Sequence, residues 1–210
     1  MIKNRILTIL SATFISLSAM GSAQAALVER LGGLAYYDDV ADITWRANAT
    51  SNRMTWQDAN DWVMNLNIGG VTGWRLPESI QPDANCSRQN GSDNSAGFNC
   101  TNSEMGNLFY NVLGGSAGTS IYESHNSNFD LFNNVEVIGY WTGTDFEPNL
   151  DRAWNFTFSG GIQGSNNKDF TLLFSWAVHS GDVAAVPVPA AVWLFISGLL
   201  GLFGIARYRH

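Results

Sequence analysis

Thr101-Asn102-Ser103-Glu104-Met105-Gly106-Asn107-Leu108-Phe109-Tyr110-Asn111-Val112-Leu113 is the stretch on which the fold turns. Thr101 and Glu104 have the spacing of a capping box, which satisfies two orphan N–H groups at a helix start. Met105, Leu108, Phe109, Val112 and Leu113 fall at i, i+3, i+4, i+7 and i+8, which is one apolar helical face. Gly114-Gly115 is a stop signal. Upstream, Thr55-x-x-Asp58 reads as a variant capping box. Trp56, Ala59, Val63 and Leu66 follow at helical spacing, and Gly69-Gly70 ends that run. Leu34 to Tyr37 and Ile43 to Trp45 read as a hairpin, with Asp38, Asp39 and Asp42 at a solvated tip. Downstream, Val135 to Thr142, Ala153 to Phe158 and Phe170 to Val178 read as strands, with turn residues at Ser159-Gly160-Gly161. The predicted class is α+β, with two early helices packed on a mainly antiparallel, Trp-rich sheet.

Composition narrows the function. The 210 residues are 45% hydrophobic, enough for one sizeable core and short of two comfortable domains. Only 14% are charged, below the ~25% usual in soluble domains. Residues 26–185 hold all 18 acidic residues and seven basic ones, so their formal charge is 7 − 18 = −11. Such a body repels phosphate backbones, which excludes nucleic acid as a partner. No Gly-rich loop followed by Lys and a hydroxyl residue offers a nucleotide site.

The two ends read as addresses. Lys3 and Arg5 precede an apolar run, Ile6 to Ala19, and Ala23-Gln24-Ala25 fits a signal-peptidase site after Ala25. Residues 1–25 are therefore a predicted signal peptide for a Sec-type translocon. Val186-Pro187-Val188-Pro189-Ala190 cannot lie inside a helix. Ala190 to Ala206 carries no charge, and a helix there, about 25 Å long, reaches the lower limit of a membrane span. Arg207 and Arg209 keep that end cytoplasmic. The expected divisions are 1–25, one exported domain over 26–185 with its core at about 34–180, and the tail 186–210. The expected location is the inner membrane, at least transiently, and then the cell surface or the extracellular space. Cys86 and Cys100 are the only cysteines. In an oxidising compartment they read as one disulfide closing a 15-residue loop, worth about 3 kcal/mol.

The tail resembles the PEP-CTERM class of bacterial sorting signals: a proline motif, an apolar helix and a basic tip. It departs from the class in having Val-Pro-Val-Pro-Ala where the naming motif is Pro-Glu-Pro. The resemblance implies processing by an exosortase-type membrane protease. In the body, Met54-Thr55-Trp56-Gln57-Asp58-Ala59, Trp74-Arg75-Leu76-Pro77, Tyr140-Trp141-Thr142-Gly143-Thr144, Ala153-Trp154 and Trp176-Ala177-Val178 resemble the Lcl C-terminal domain family. That resemblance implies a C-type-lectin-like fold and, for the family's namesake, binding of sulfated polysaccharide. It attaches no single reaction.

The side chains themselves point to a scaffold more than to catalysis. Arg75, set among Trp74, Leu76 and Pro77, reads as an Arg paired with a carboxylate, tying helix to sheet. Trp56, Trp74, Trp141 and Trp154 read mainly as core, with one or two aromatic faces left for a sugar surface. Glu147-Pro148-Asn149 is similar to the calcium tripeptide of C-type lectins. With Asp151 it forms a candidate calcium set, to which Asp145 and Asn155 are near in sequence. No Gly-x-Ser-x-Gly or His-Glu-x-x-His element occurs, and no catalytic residue, cofactor or enzyme activity is expected. The expected function is a non-catalytic polysaccharide-binding or adhesion module at the cell surface. A purely structural biofilm component and a cell-envelope polysaccharide hydrolase are the alternatives. Intact mass of the protein recovered from cells checks the export reading. The expected species lacks residues 1–25 and two hydrogens, while a full-length reduced chain contradicts it.

Overall fold

Short strands separated by tight turns open the chain. The computed structural model describes residues 27–50, 52–91 and 93–183; the predicted signal peptide, proline motif, apolar helix and basic tip lie outside them. Strands β1 (Leu27–Arg30), β2 (Ala35–Asp38) and β3 (Ile43–Arg46) form an antiparallel meander. The last strand, β9 (Val178–Ser180), pairs antiparallel with β3 and closes a four-stranded sheet. A second sheet holds β6 (Gly139–Asp145), β7 (Arg152–Thr157) and β8 (Ile162–Asn167), all antiparallel. Between them, β4 (Arg88–Gln89) and β5 (Ser95–Ala96) make a two-rung ladder inside the cysteine loop. The expected α+β class and antiparallel pairing hold, but the strands divide among three sheets rather than one.

Helix α1 (Trp56–Met64) starts as the sequence predicts. Thr55 Oγ1 accepts the Asp58 N–H at 3.2 Å and donates to the Asp58 carboxylate at 2.7 Å. It stops five residues before Gly69: Leu66 N–H turns back to Val63 O, three residues earlier, and the Asn65 side-chain amide takes the Asp61 carbonyl. Gly69 and Gly70 instead form the tight turn between Ile68 and Val71. Helix α2 (Glu104–Asn107) runs directly into a π turn, Leu108–Val112. The predicted apolar face is intact, with Met105, Leu108, Phe109, Val112 and Leu113 all fully buried. The predicted capping box does not form. The helix begins after Ser103, and Thr101 accepts instead from the Asn85 amide. A short helix α3 (Ile121–Ser124) and a 3-10 turn (Ser127–Leu131) lead to the second sheet.

Glu104 is unavailable for capping because Arg75 holds it. The guanidinium donates to both carboxylate oxygens, at 2.7 and 2.8 Å, and Glu78 N–H adds a third bond to the carboxylate at 2.7 Å. Arg75 in turn exchanges two main-chain bonds with Val178, at 2.8 and 2.9 Å, at the start of β9. The bond to Glu104 raises the guanidinium pKa above its ordinary value. One bidentate ion pair thus ties the second helix to the closing strand of the first sheet.

Two aromatic cores flank this tie. One centres on Trp176, whose ring lies 5.7 Å from Trp45, 5.2 Å from Phe132, 5.6 Å from Tyr140 and 6.0 Å from Phe158. The other gathers Trp74, Leu76, Trp141, Ala59 and Val63 beside α1. Three further expectations are corrected. Asp38 is fully buried, accepting the Val40 and Ala41 N–H groups, so only Asp39 and Asp42 remain at the exposed tip. Residues 135–138 precede the strand that begins at Gly139. Phe170 is 87% exposed, and its run crosses the body through single bridges, Leu173 to Met54 and Phe174 to Tyr140, before becoming strand at Val178.

Glu104→Gln removes the charge but keeps the shape. It should cost about 2–3 kcal/mol in urea unfolding, since it leaves a partly buried guanidinium unneutralised. Gly106→Ala is expected to cost at least as much, about 3 kcal/mol, because its Cβ would lie 1.9 Å from Cys100 O, a backbone atom that cannot swing away. Its test is the same urea titration, and an unchanged midpoint contradicts the close approach.

Candidate functional site

The segment after Pro77 forms one wall of an open cleft of about 520 Å³. It is held from four directions. Glu78 exchanges bonds with Glu104, Ser79 N–H donates to Thr144 Oγ1 at 2.9 Å, Ile80 N–H donates to Ser103 Oγ at 3.0 Å, and Gln81 bonds both main-chain groups of Ser95. The bulge in β6 continues that wall: the register with β7 shifts between Trp141 and Asp145, and Thr144 there accepts the Ser79 N–H. Trp154 on β7 contributes an edge to the cleft, being only 2% exposed. Phe146 packs edge-on against its ring at 5.1 Å. The cysteine loop brings Asp93 and Asn94 to the rim.

That loop is closed by the Cys86–Cys100 disulfide, with an S–S distance of 2.06 Å. Its base is pinned by Asp83, which is fully buried and accepts the Asn85 and Asn102 N–H groups. Among the described residues, the only three His, Cys, Asp or Glu ligands within reach of one another are Asp83, Cys86 and Cys100. Both sulfurs there are spent in the disulfide, so the group does not fit a metal ion.

Glu78, Asp93, Asp145 and Glu147 all line the cleft, and no basic side chain does. Asp145 is paired with Lys168 at 2.5 Å, and Lys168 Nζ lies 4.3 Å over the Trp56 ring. The candidate calcium set is divided. Glu147 faces the cleft, whereas Asn149 Oδ1 accepts the Asp151 N–H at 2.9 Å within the β6–β7 turn. Asn155 is buried on β7.

Of the sequence-predicted residues, Trp74, Leu76 and Trp141 lie in the core behind the cleft and Trp154 forms its floor. Trp56 is half-buried and donates to Thr142 O at 2.8 Å. No tryptophan among the described residues is exposed, so none offers the open aromatic platform that a sugar surface was expected to use. The walls at Glu78 to Gln81 and Asp93-Asn94 were not foreseen. Their partners lie at Ser103 and Thr144, and no local spacing announces them.

His179 packs edge-on against Trp74 at 5.8 Å, and His125 stacks on Phe129 at 4.4 Å, so each ring lies against an aromatic neighbour. Among the described residues no helix is long and apolar enough to cross a membrane. No curated protein and no solved structure matches the chain. A family model described as the Lcl C-terminal domain matches residues 35–179. The chain belongs to the Lcl C-terminal domain family, a membership that suggests a surface or secreted protein.

Proposed function

We propose that the body is a non-catalytic polysaccharide-binding module, with the cleft beside Trp154 as its glycan site. The observation that carries this reading is the cleft's lining: carboxylates, amides and hydroxyls over one indole edge, open to solvent. Carboxylates and amides are acceptors and donors suited to sugar hydroxyls. An open groove admits a chain rather than a small molecule. Lys168 offsets Asp145 and Arg75 lies 3.9 Å from Glu78, but Asp93 and Glu147 leave the lining net negative, which disfavours a polyanion, so the chain that fits is a neutral or amino-sugar polymer. That choice departs from the sulfated polymer implied by the family's namesake. The non-catalytic part is supported by the closed cysteine pair and by histidines packed on aromatic rings.

The rest of the reading concerns place. The chain passes a Sec-type translocon, loses residues 1–25 to signal peptidase, and is sorted by an exosortase-type protease acting at the Val186–Ala190 motif. It ends at the cell surface or in the extracellular matrix. A C-type-lectin-like fold belongs to the same proposal, supported by the mixed helix and sheet body that the terminal strand β9 closes.

Calorimetry of the mature protein with neutral, amino-sugar and sulfated polysaccharides tests the binding. Neutral or amino-sugar chains should bind, and Glu147→Gln and Asn94→Ala should each weaken them about 5- to 10-fold without moving the unfolding midpoint. Silence across these chains, or tighter binding of the sulfated one, overturns the proposal. Release of reducing ends replaces it with the hydrolase reading.

A further inference from the structure

Most cations of the described body have anionic or polar side-chain partners: Arg30 pairs with Asp182, Arg75 with Glu104, Lys168 with Asp145, and Arg152 bonds Ser165. Arg46 differs. It is half-buried, and its guanidinium stands 5.4 Å over the Trp62 ring with no carboxylate or hydrogen-bond partner among the described residues. Burial lowers its pKa from the ordinary value, yet it stays charged at any physiological pH. Arg53 and Arg88 also lack an acid, but both are exposed; Arg46 is half-buried with neither an acid nor a hydrogen-bond partner among the described residues.

Arg46 opens into a second cleft, of about 360 Å³, whose other polar walls are Asn48, Asn67 and Asn133. No carboxylate lines it. Glu29 lies near the Gly33 turn, with Oε1 3.8 Å from where a Cβ on Gly33 would sit, but it makes no ion pair with Arg46. The orientation of one amide is fixed. Asn67 Oδ1 accepts the Gly70 N–H at 3.0 Å, and a main-chain N–H can only donate, so the Asn67 NH2 is the end left over. Asn48 Oδ1 likewise accepts from the Asn134 amide at 2.7 Å. The cleft therefore offers one cation and, at Asn67, an amide NH2 whose orientation is set by the main chain, with Asn48 and Asn133 as further polar walls.

We propose that this cleft is an anion site that takes a single carboxylate borne on a sugar, as in a uronic acid residue. A planar carboxylate matches the guanidinium fork bidentately and leaves its outer lone pairs for the amide donors. One cation in a small cleft balances one anionic group, not a run of them. The site lies on the β1–β2 turn, the end of β3 and the loop after α1, and shares no lining residue with the cleft beside Trp154. The two proposals can therefore fail separately.

Titration of the mature protein with tetragalacturonate, its methyl ester and acetate tests the site. The free acid should bind, and the ester should bind at least tenfold more weakly. Arg46→Gln should lose about tenfold or more. Asn67→Asp keeps the acceptor for the Gly70 N–H and places a carboxylate inside the cleft. It should abolish uronate binding while leaving the fold at least as stable as the parent. Equal affinity for acid and ester, or unchanged affinity in both variants, overturns the proposal. A uronate that binds no better than acetate removes the sugar from it.

Discussion

The Arg75–Glu104 ion pair is the constraint on which the other parts of this fold depend. Arg75 belongs to an extended segment held by β9, and Glu104 is the first residue of α2. The apolar neighbours of the pair belong to different cores, Trp74 and Leu76 to one and Met105 to the other, so the ion pair joins the two. The bidentate bond fixes distance and orientation together, which a point charge such as Lys would not. The third bond, from Glu78 N–H, carries that order into the cleft wall. Residues 78–81 are thus placed by a helix start and a strand edge rather than by any regular structure of their own. The cleft is held by hydrogen bonds where it borders this tie and is bounded by the cysteine loop at its rim.

Charge divides the surface in an informative way. The net negative body makes its carboxylates expensive to gather, since like charges in one cleft repel. Lys168 relieves part of that repulsion by pairing with Asp145 from behind, so it adds no positive lining. The Arg46 cleft is the converse arrangement, a cation kept clear of acids in an acidic molecule. Both arrangements work against the average field of the protein.

Much of the frame was legible in the sequence, and the reason is periodicity. The face Met105, Leu108, Phe109, Val112 and Leu113 reads correctly because helical spacing is a local property, even though the backbone there opens into a π turn. The Thr55 cap reads correctly for the same reason. The Thr101 cap misleads because Glu104 has a better partner 29 positions away, and charge pairing outcompetes a local bond. Asp38 misleads because turn acids are ordinarily solvated, whereas here two turn N–H groups bury one. Strand β8 was missed because Gly164, Ser165, Asn166 and Asn167 give it no apolar alternation; it is a strand through its ladder with β7. Phe170 to Ala177 looked like a strand from its apolar content, yet those side chains serve two cores while the backbone pairs only singly.

Most of the residues that carry the family resemblance pack the interior, and only Gly143, Thr144 and Trp154 of them reach the larger cleft. Trp74, Leu76 and Trp141 are buried, Arg75 is committed to Glu104, and Trp154 shows only an edge. The carboxylates and the Asn94 amide that line the cleft, Glu78, Asp93, Asn94, Asp145 and Glu147, lie outside those motifs. The lining is acidic at the larger cleft and cationic at the Arg46 cleft, so under the two proposals a polyanion is disfavoured at the first and a single carboxylate is favoured at the second.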